Sequence, residues 1–442
     1  MRMTLSKPAL PTAAPPREVG ESRVRAWGLT GVLVLLVVVN WADKAVFGLV
    51  AQPLAKEFGL TSAQIGLVGS AFFLAFTVGG FFAGVLHKWM SLRWLLVLLS
   101  LGWAASMIPL VVVAGFGMLL FTRMMLGFFE GPAGALVHTG VYSWHPAEKR
   151  GLPGAFLASG ASIAKIAIAP LMALAVASWG WRATFIILAG VGVVWCVLWL
   201  FTWKEGPYMQ RPVRKSERET TTATDSVVVA KVPLTKIFFT PTFLGALAAV
   251  FTMYALITVV LTWLPSYFEV GLGYSRVQAG TMFGIPSIAG LFFMFLCTSI
   301  SDRLMARGAS SRILRGIVPG IALLICGLAL VSMPFIKTPI VAVLVVSVGY
   351  GIGTVVIPQF NAAISEICPP QQMASVLGVF MALMATGGLI APYLTGVIVD
   401  SAATPAEGYA TAFQIFGIAT VIGAVIALCA VNATRDRVRI LG

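Results

Sequence analysis

Charged residues are scarce in this chain of 442 residues. Asp, Glu, Lys and Arg make up 10% of it, whereas 59% of the residues are hydrophobic and the mean hydropathy is +0.94. Soluble domains carry roughly a quarter charged residues, so a chain with so few would not stay dispersed in water. The composition excludes an ordinary soluble protein and predicts that a lipid bilayer surrounds most of the chain.

Cysteine and histidine are also sparse, with five and three residues. The cysteines lie singly and the histidines occupy no ligand spacing, so neither a disulfide framework nor a metal site is expected. The glycines are scattered through hydrophobic segments and form no phosphate-binding fingerprint. The sequence therefore predicts no cofactor, and any task that needs energy would draw on an ion gradient rather than on ATP.

Long apolar runs are what the sequence has instead. About 20 apolar residues are needed to cross a bilayer. Twelve such spans are predicted, at 27–50, 63–86, 94–114, 116–138, 152–178, 183–203, 242–264, 277–299, 314–334, 339–361, 373–399 and 409–431. The fold class predicted is thus an all-α integral membrane protein with two six-helix bundles. The expected units are a tail (1–26), the first bundle (27–203), a polar linker (204–241), the second bundle (242–431) and a tail (432–442).

The net charge of +14 is unevenly distributed along these units. Most of the 30 basic residues lie in the tails, the linker and the loops on the side of the N-terminus, whereas the opposite loops carry only Lys56, Arg182, Arg276 and Lys337. This positive-inside pattern predicts that both tails and the linker are cytoplasmic. The first 26 residues then form a cytoplasmic tail rather than a signal peptide. Nucleic-acid binding is not needed to explain the charge.

Five charged residues interrupt the apolar spans of the first half: Asp43, Lys44, Arg123, Glu130 and Lys165. A charge at membrane depth costs roughly 3 kcal/mol even on a lenient scale, so its default interpretation is functional. Three cations and two acids attract an anion more strongly once the acids take up protons. That relation is what coupling of a proton to an anion requires. The alternative interpretation is a set of structural ion pairs that hold helices together.

Helical spacing predicts which of these charges lie near one another. Arg123 and Glu130 are seven residues apart and project from nearly the same face of the fourth span. The glycines on that side, Gly127, Gly131 and Gly134, would allow a neighbouring helix to approach closely.

Depth in the membrane suggests further contacts. Asp43 and Arg123 both lie roughly 10 Å below the outer boundary, so they can meet if the first and fourth spans are neighbours. Lys165 lies in the middle of the fifth span, beyond the reach of snorkelling, and needs a carboxylate or water. Glu130 is the predicted partner of Lys165 if the fourth and fifth spans approach each other, and contact of Lys165 with a substrate is the alternative.

Several short motifs are spread along the chain: Asn40-Trp41-Ala42-Asp43-Lys44, Phe58-Gly59-Leu60-Thr61 with Gln64-Ile65-Gly66, Arg123 with Glu130-Gly131, Trp144-His145-Pro146-Ala147-Glu148-Lys149-Arg150-Gly151, Gly180-Trp181-Arg182, Trp263-Leu264-Pro265-Ser266-Tyr267 and Ser301-Asp302-Arg303. Together they resemble motifs of the major facilitator superfamily, and more narrowly of its anion:cation symporter branch. The resemblance covers about residues 28–431. The branch includes bacterial transporters of galactonate and hexuronates.

The resemblance implies proton-coupled import of an organic anion by alternating access between the two halves. Asp43 and Glu130 match the protonatable carboxylates of the branch, and Lys44 and Arg123 match cations near the substrate. The other expected substrate contacts are Lys165, Asn40, Trp41, Tyr254, Gln359 and Asn361, although packing hydrogen bonds are the commoner role for the last three. The expected partners are a small organic anion and the lipid of a bacterial inner membrane, and the protein is expected to be a monomer.

Departures from the branch bear on the substrate. Lys44 stands where an Arg is common and lacks its bidentate fork. Phe76 and Gly80 align with a Tyr and a Gln of the second span, residues 381–388 are apolar around a position that is often Asn, and Lys165 adds a cation. Fewer partners for hydroxyl groups predict a less hydroxylated carboxylate, aromatic or dicarboxylic.

Three other functions are compatible with a polytopic membrane protein, and the sequence disfavours each of them. A drug/proton antiporter would suit the aromatic content, but the fifth span lacks a Gly-Pro-Gly bend and the buried cations disfavour a lipophilic cation. A solute sensor would signal through the linker, which contains no recognisable domain. A membrane enzyme would need a nucleophile–base pair or a metal cluster, and the sequence offers neither. The prediction is a transporter that is not an enzyme.

Overall fold

The computed structural model describes residues 20–145, 151–207, 232–369 and 372–441. All regular elements in these ranges are helices. Eleven of the described helices, some of them continuous across short π-helical turns, are long and apolar enough to cross a membrane. A helix bonds its backbone polar groups internally, which is necessary where lipid offers no water. The chain is therefore a multi-pass helical membrane protein, as its composition predicted.

The helices follow one another along the chain with short connections. In the first part they are α1 (Gly20–Phe58), α2 (Ser62–Phe81), α3 (Ala83–Trp89), α4 (Leu92–Val112), α5 (Phe116–Glu130), α6 (Ala133–Tyr142), α7 (Gly151–Ile163), α8 (Ala169–Trp179) and α9 (Trp181–Thr202). In the second part they are α10 (Leu234–Phe238), α11 (Pro241–Ser266), α12 (Arg276–Met282), α13 (Ile285–Ala306), α14 (Val318–Val331), α15 (Pro339–Gly353), α16 (Val356–Glu366), α17 (Met373–Ala385), α18 (Gly387–Ser401), α19 (Pro405–Ala430) and α20 (Ala433–Leu441).

Three π-helical turns lengthen these helices. Ala164–Ile168 joins α7 to α8, Tyr267–Gly271 extends α11, and Ile313–Ile317 precedes α14. Such turns are rare in proteins as a whole, but many of those that occur lie at functional sites. The first of them carries Lys165.

The predicted fourth span, 116–138, is not one continuous helix. Helix α5 ends at Glu130 and α6 begins at Ala133, with Gly131 and Pro132 between them. Proline has no N–H group to donate, and its ring disfavours a continuous helix. Since α5 and α6 have 15 and 10 residues, neither reaches spanning length alone. Eleven helices in the described ranges meet that length, and a count of twelve spans stays a prediction.

Helix α1 lies among the helices of the first part and also reaches the second. It packs on α6, α7 and α9, and on α11 across the molecule. Helix α2 packs on α5 and on α18, and α8 packs on α12. The division into two bundles joined at 204–241 stays a prediction, because residues 208–231 lie outside the described ranges, as do residues 1–19 of the N-terminal tail.

A contact between α2 and α18 closes the end of the molecule at which α1 ends and α2 begins. We name this end the distal end. The Asp400 carboxylate accepts hydrogen bonds from the backbone N–H groups of Ser62 (2.8 Å) and Ala63 (2.7 Å). The first N–H groups of a helix have no acceptor within the helix, and a negative charge is favoured there. Asp400 therefore caps a helix of the opposite part of the chain.

Two glycines bring the same helices into backbone contact. A Cβ atom at Gly66 would overlap the carbonyl oxygen of Pro392, and one at Gly396 would overlap that of Ser62. Beside them, the backbone N–H of Tyr393 donates to Ser70 Oγ at 3.2 Å. The sequence places small residues where α2 and α18 cross, and the distal end is closed by that crossing.

Replacing Asp400 by Ala should loosen the distal end. Loss of a helix cap costs about 1 kcal/mol, which raises the ratio of open to closed conformers about fivefold. The rate at which N-ethylmaleimide labels a single cysteine at Ser70 measures this ratio in detergent, in a chain whose five native cysteines are alanine. Asp400→Asn keeps one acceptor oxygen and should give an intermediate rate. Equal labelling rates in all three proteins would show that Asp400 does not hold this end closed.

Candidate functional site

All five charges predicted at membrane depth are buried. Asp43 and Lys44 lie on α1, Arg123 and Glu130 on α5, and Lys165 on the π-helical turn after α7. None of these side chains reaches the lipid, so each must be stabilised by its neighbours. The structure gives each of them a different environment.

Lys44 and Glu130 form a buried ion pair. The Lys44 ammonium donates to Glu130 Oε2, to Asn40 Oδ1 at 2.6 Å and to the Asn40 carbonyl oxygen at 3.2 Å. Asn40 precedes Lys44 by one helical turn, which brings both of its oxygens within reach. The predicted pairing of Glu130 with Lys165 is therefore wrong, because Lys44 takes that place.

The packing of α5 explains this choice of partner. Helix α5 lies against α2 and α4. Cβ atoms at Gly127 and Gly131 would overlap the carbonyl oxygens of Phe72 and Phe76. The predicted glycine-mediated approach is thus confirmed for these two glycines, and the neighbour is α2. A Cβ at Gly134 would meet nothing within 4 Å.

Arg123 is held by aromatic rings. Its guanidinium carbon lies 4.6 Å from the ring centroid of Phe47 and 4.7 Å from that of Phe72, a cation–π arrangement. Arg123 Nη1 also donates to the backbone carbonyl oxygen of Asp43 at 3.4 Å. Asp43 and Arg123 therefore meet, as their depth predicted, but through the backbone and not through an ion pair.

The Asp43 carboxyl group is isolated within the described part of the chain. The residue is 1% exposed, and neither side-chain oxygen has a hydrogen-bond partner among the described residues. Burial of an ionised carboxylate without a partner is costly. A buried polar group without a protein partner calls for an explanation, such as a water, an ion or a functional role.

Lys165 is also without a carboxylate partner in the described ranges. It is 6% exposed, like Lys44, and its ammonium lies 5.6 Å from the ring centroid of Tyr350 on α15. Gly284 packs against the backbone of Lys165 and Ile166. Lys165 therefore lies where the two parts of the chain meet.

A cavity of about 280 Å³ lies beside the ion pair, between α1, α2, α6, α7 and α11. Four predicted substrate contacts line it: Asn40, Trp41, Lys44 and Tyr254. Most other lining residues are apolar, with Phe73 and Phe76 from α2, Leu157 and Ala161 from α7, and Ile257 and Leu261 from α11. The cavity is an apolar chamber with a single lysine in its wall.

The other four predicted substrate contacts do not line this cavity, and neither do the two predicted proton-coupling residues, Asp43 and Glu130. Arg123 borders a much smaller space of about 10 Å³ that Lys44 also borders. Lys165, Gln359 and Asn361 line neither space. Gln359 and Asn361 lie on α16, which packs on α11, α14 and α17, so the structure does not bring them to the chamber.

Sequence reasoning missed His138 as a residue of the chamber wall. His138 is the last residue of the predicted span 116–138, but α6 presents it to the cavity one turn after Gly134. His138 Nδ1 donates to the Gly134 carbonyl oxygen at 2.8 Å. The signal in the sequence was the spacing of eight residues from Glu130, but the break at Pro132 made that spacing unreliable.

Removal of Lys44 should destabilise the protein far more than removal of Lys165. Lys44→Met leaves Glu130 buried without its cation, and breaking a buried pair costs about 3–5 kcal/mol. Lys165→Met is the matched control, because the lysine is equally buried but has no ion pair in the described ranges. Thermal unfolding in detergent compares the two variants. The double variant Lys44→Met/Glu130→Gln should recover most of the loss. Equal losses for the two lysines would contradict a stabilising pair.

Comparison with known proteins agrees with this architecture. Residues 33–392 and 318–439 match the Major Facilitator Superfamily. The chain is similar to the hexuronate transporter of Bacillus subtilis, with 26% identity over 381 residues that cover 84% of this chain and 87% of the relative. It is similar to the D-galactonate transporter of Escherichia coli O6:H1, with 24% identity over 410 residues, 90% of this chain and 93% of the relative.

A solved structure of a D-xylose-proton symporter has the same fold, with a TM-score of 0.75 and 18% identity over 93% of this chain and 99% of that one. At this identity the likeness shows the fold alone. The motifs resembled the branch that transports hexuronates and galactonate, and these relatives confirm the predicted branch. The relatives are transporters and not enzymes, as the sequence predicted. The chain belongs to the Major Facilitator Superfamily.

Proposed function

We propose that the protein imports an organic anion together with protons by alternating access. The observation that carries this proposal is the buried ion pair of Lys44 and Glu130, whose lysine lies in the wall of the apolar chamber. The names of the relatives, transporters of hexuronate and D-galactonate, support an anionic substrate.

The ion pair links anion binding to proton binding. An anion that enters the chamber meets Lys44, and a carboxylate on the Lys44 ammonium competes with Glu130 for the same donor. Once Lys44 is engaged by the substrate, Glu130 is a buried carboxylate that has lost its cation. An uncompensated charge in such a place is neutralised by taking up a proton. The anion and the proton therefore enter the site together.

Asp43 supplies a second place for a proton. It is adjacent to Lys44 on α1, and its carboxyl oxygens have no partner among the described residues. A carboxyl group without donors loses no hydrogen bond when it is protonated. Arg123, fixed between Phe47 and Phe72, keeps a permanent positive charge beside the group. The cluster attracts an anion most strongly when both acids carry protons.

The conformation supports a chamber that is open toward the cytoplasm. The distal end is closed by α2 and α18. The exposed lining residues Gly134 and His138 lie on α6, which runs from the depth of Glu130 away from the distal end. The excess of basic residues in the tails and the linker supports a cytoplasmic location for them. In this orientation the closed end faces outward, and substrate is released inward.

Glu130→Gln should retain exchange of substrate but lose accumulation driven by a pH gradient. The amide fills the same space and cannot carry a proton. One pH unit is worth about 1.4 kcal/mol per proton, so accumulation should fall about tenfold for each proton no longer coupled. The assay is uptake of radiolabelled D-galactonate and 4-hydroxybenzoate into vesicles with an alkaline interior and a clamped membrane potential.

Two controls make the result specific. Uptake into protein-free vesicles is subtracted, because a neutral aromatic acid crosses lipid unaided. Glu57→Gln removes a half-exposed carboxylate that pairs with Arg182 outside the chamber, and it should leave accumulation unchanged. Full accumulation by Glu130→Gln would remove Glu130 from the coupling role.

A further inference from the structure

We propose that the substrate is an aromatic monocarboxylate, bound with its carboxylate on Lys44 and its ring among Trp41, Phe73, Phe76 and Tyr254. This inference rests on the proposed function and names its substrate class. The sequence left two choices open, an aromatic acid and a dicarboxylate, and the geometry of the chamber separates them.

Among the described residues, Lys44 is the one lysine or arginine that lines the chamber. Lys44 is in its wall, whereas Arg123 borders a space of about 10 Å³, which holds roughly one water molecule. Lys165 borders neither space and lies over Tyr350. A second carboxylate on the substrate would enter the chamber without a cation to meet it. Burial of an unpaired charge is costly, so the chamber favours a single carboxylate.

The position of Lys44 directs the rest of the substrate toward aromatic rings. Its ammonium lies 5.5 Å from the ring centroid of Trp41 and 5.0 Å from that of Phe76. A carboxylate held on this ammonium therefore places the attached carbon skeleton beside the same rings. Phe73 and Tyr254 lie in the same wall. Aromatic pairs gain energy beyond the burial of area when they stack offset or edge to face.

The chamber has few partners for hydroxyl groups. Its hydrogen-bonding side chains are Asn40, Trp41, Lys44, His138 and Tyr254. Of these, Asn40 Oδ1 already accepts from Lys44, and His138 Nδ1 already donates to the Gly134 carbonyl oxygen. Asn40 Nδ2 has no partner among the described residues, so it is one donor open to a ligand. A sugar acid would bury several hydroxyl groups against apolar walls, and each one left without a partner weakens binding. An apolar ring has no such cost.

The size of the chamber fits the same class. Pockets for small ligands begin at about 300 Å³, and this chamber measures about 280 Å³. It therefore accepts a single ring with a short side chain rather than a large lipophilic molecule.

Calorimetric titration of the full-length protein in detergent tests the inference with five probes. Benzoate is the reference, and D-glucuronate adds hydroxyl groups. Terephthalate adds a second carboxylate, cyclohexanecarboxylate removes the aromaticity, and benzamide removes the charge. We expect benzoate to bind at least tenfold more tightly than each of the other four.

Variants of Phe76 locate the site. Phe76→Leu removes a ring from the wall and should weaken benzoate binding about tenfold. Phe128→Leu is the matched control, because Phe128 is also half-buried but packs on Phe82 and Phe129 outside the chamber. Phe76→Tyr adds a hydroxyl to the wall and should narrow the preference for benzoate over D-glucuronate.

The outcomes separate the two proposals. If D-glucuronate, terephthalate or cyclohexanecarboxylate binds as tightly as benzoate, the aromatic monocarboxylate is wrong while anion transport stands. If none of the carboxylates binds and benzyltrimethylammonium does, the anion transporter itself is wrong. Equal effects of Phe76→Leu and Phe128→Leu would place the ring outside this chamber.

Discussion

The buried pair of Lys44 and Glu130 is the interaction on which the arrangement of the first half depends. Two charges taken out of water are costly, and they are tolerated only where each has the other and further hydrogen bonds. Asn40 supplies those bonds on the side of α1, and the glycines of α5 let the carboxylate come close by packing α5 against α2. Because Lys44 also lines the chamber, this costly buried contact lies directly beside the cavity.

Aromatic rings replace counterions elsewhere in the cluster. Arg123 lies between Phe47 and Phe72, and Lys165 lies over Tyr350. The negative face of a ring attracts a cation without neutralising it. Only two acids accompany the three cations, and one of them, Asp43, stays free of hydrogen bonds within the described residues. The cluster thus contains more basic than acidic side chains.

Helix α2 belongs both to the charged site and to the closed distal end. Phe72 and Phe76 lie beside the cations and against α5, while Ser62 and Gly66 of the same helix contact α18. A helix moves largely as a rigid rod, so a displacement that breaks the contact with Asp400 also shifts the rings that surround Lys44 and Arg123. The structure therefore joins the site and the distal closure through one element.

The sequence by itself determined the membrane setting, the positions of most spans and the five charges that are buried within them, because hydropathy and the cost of a buried charge are local properties of the chain. It also indicated that Gly127 and Gly131 would face a neighbour. It did not determine the partners. Glu130 pairs with Lys44 instead of Lys165, Asp43 meets Arg123 through its backbone, and Gln359 and Asn361 lie away from the chamber. Those outcomes depend on which helices pack together and on the break at Gly131 and Pro132, and contacts between residues distant in the chain are set only when the tertiary structure forms.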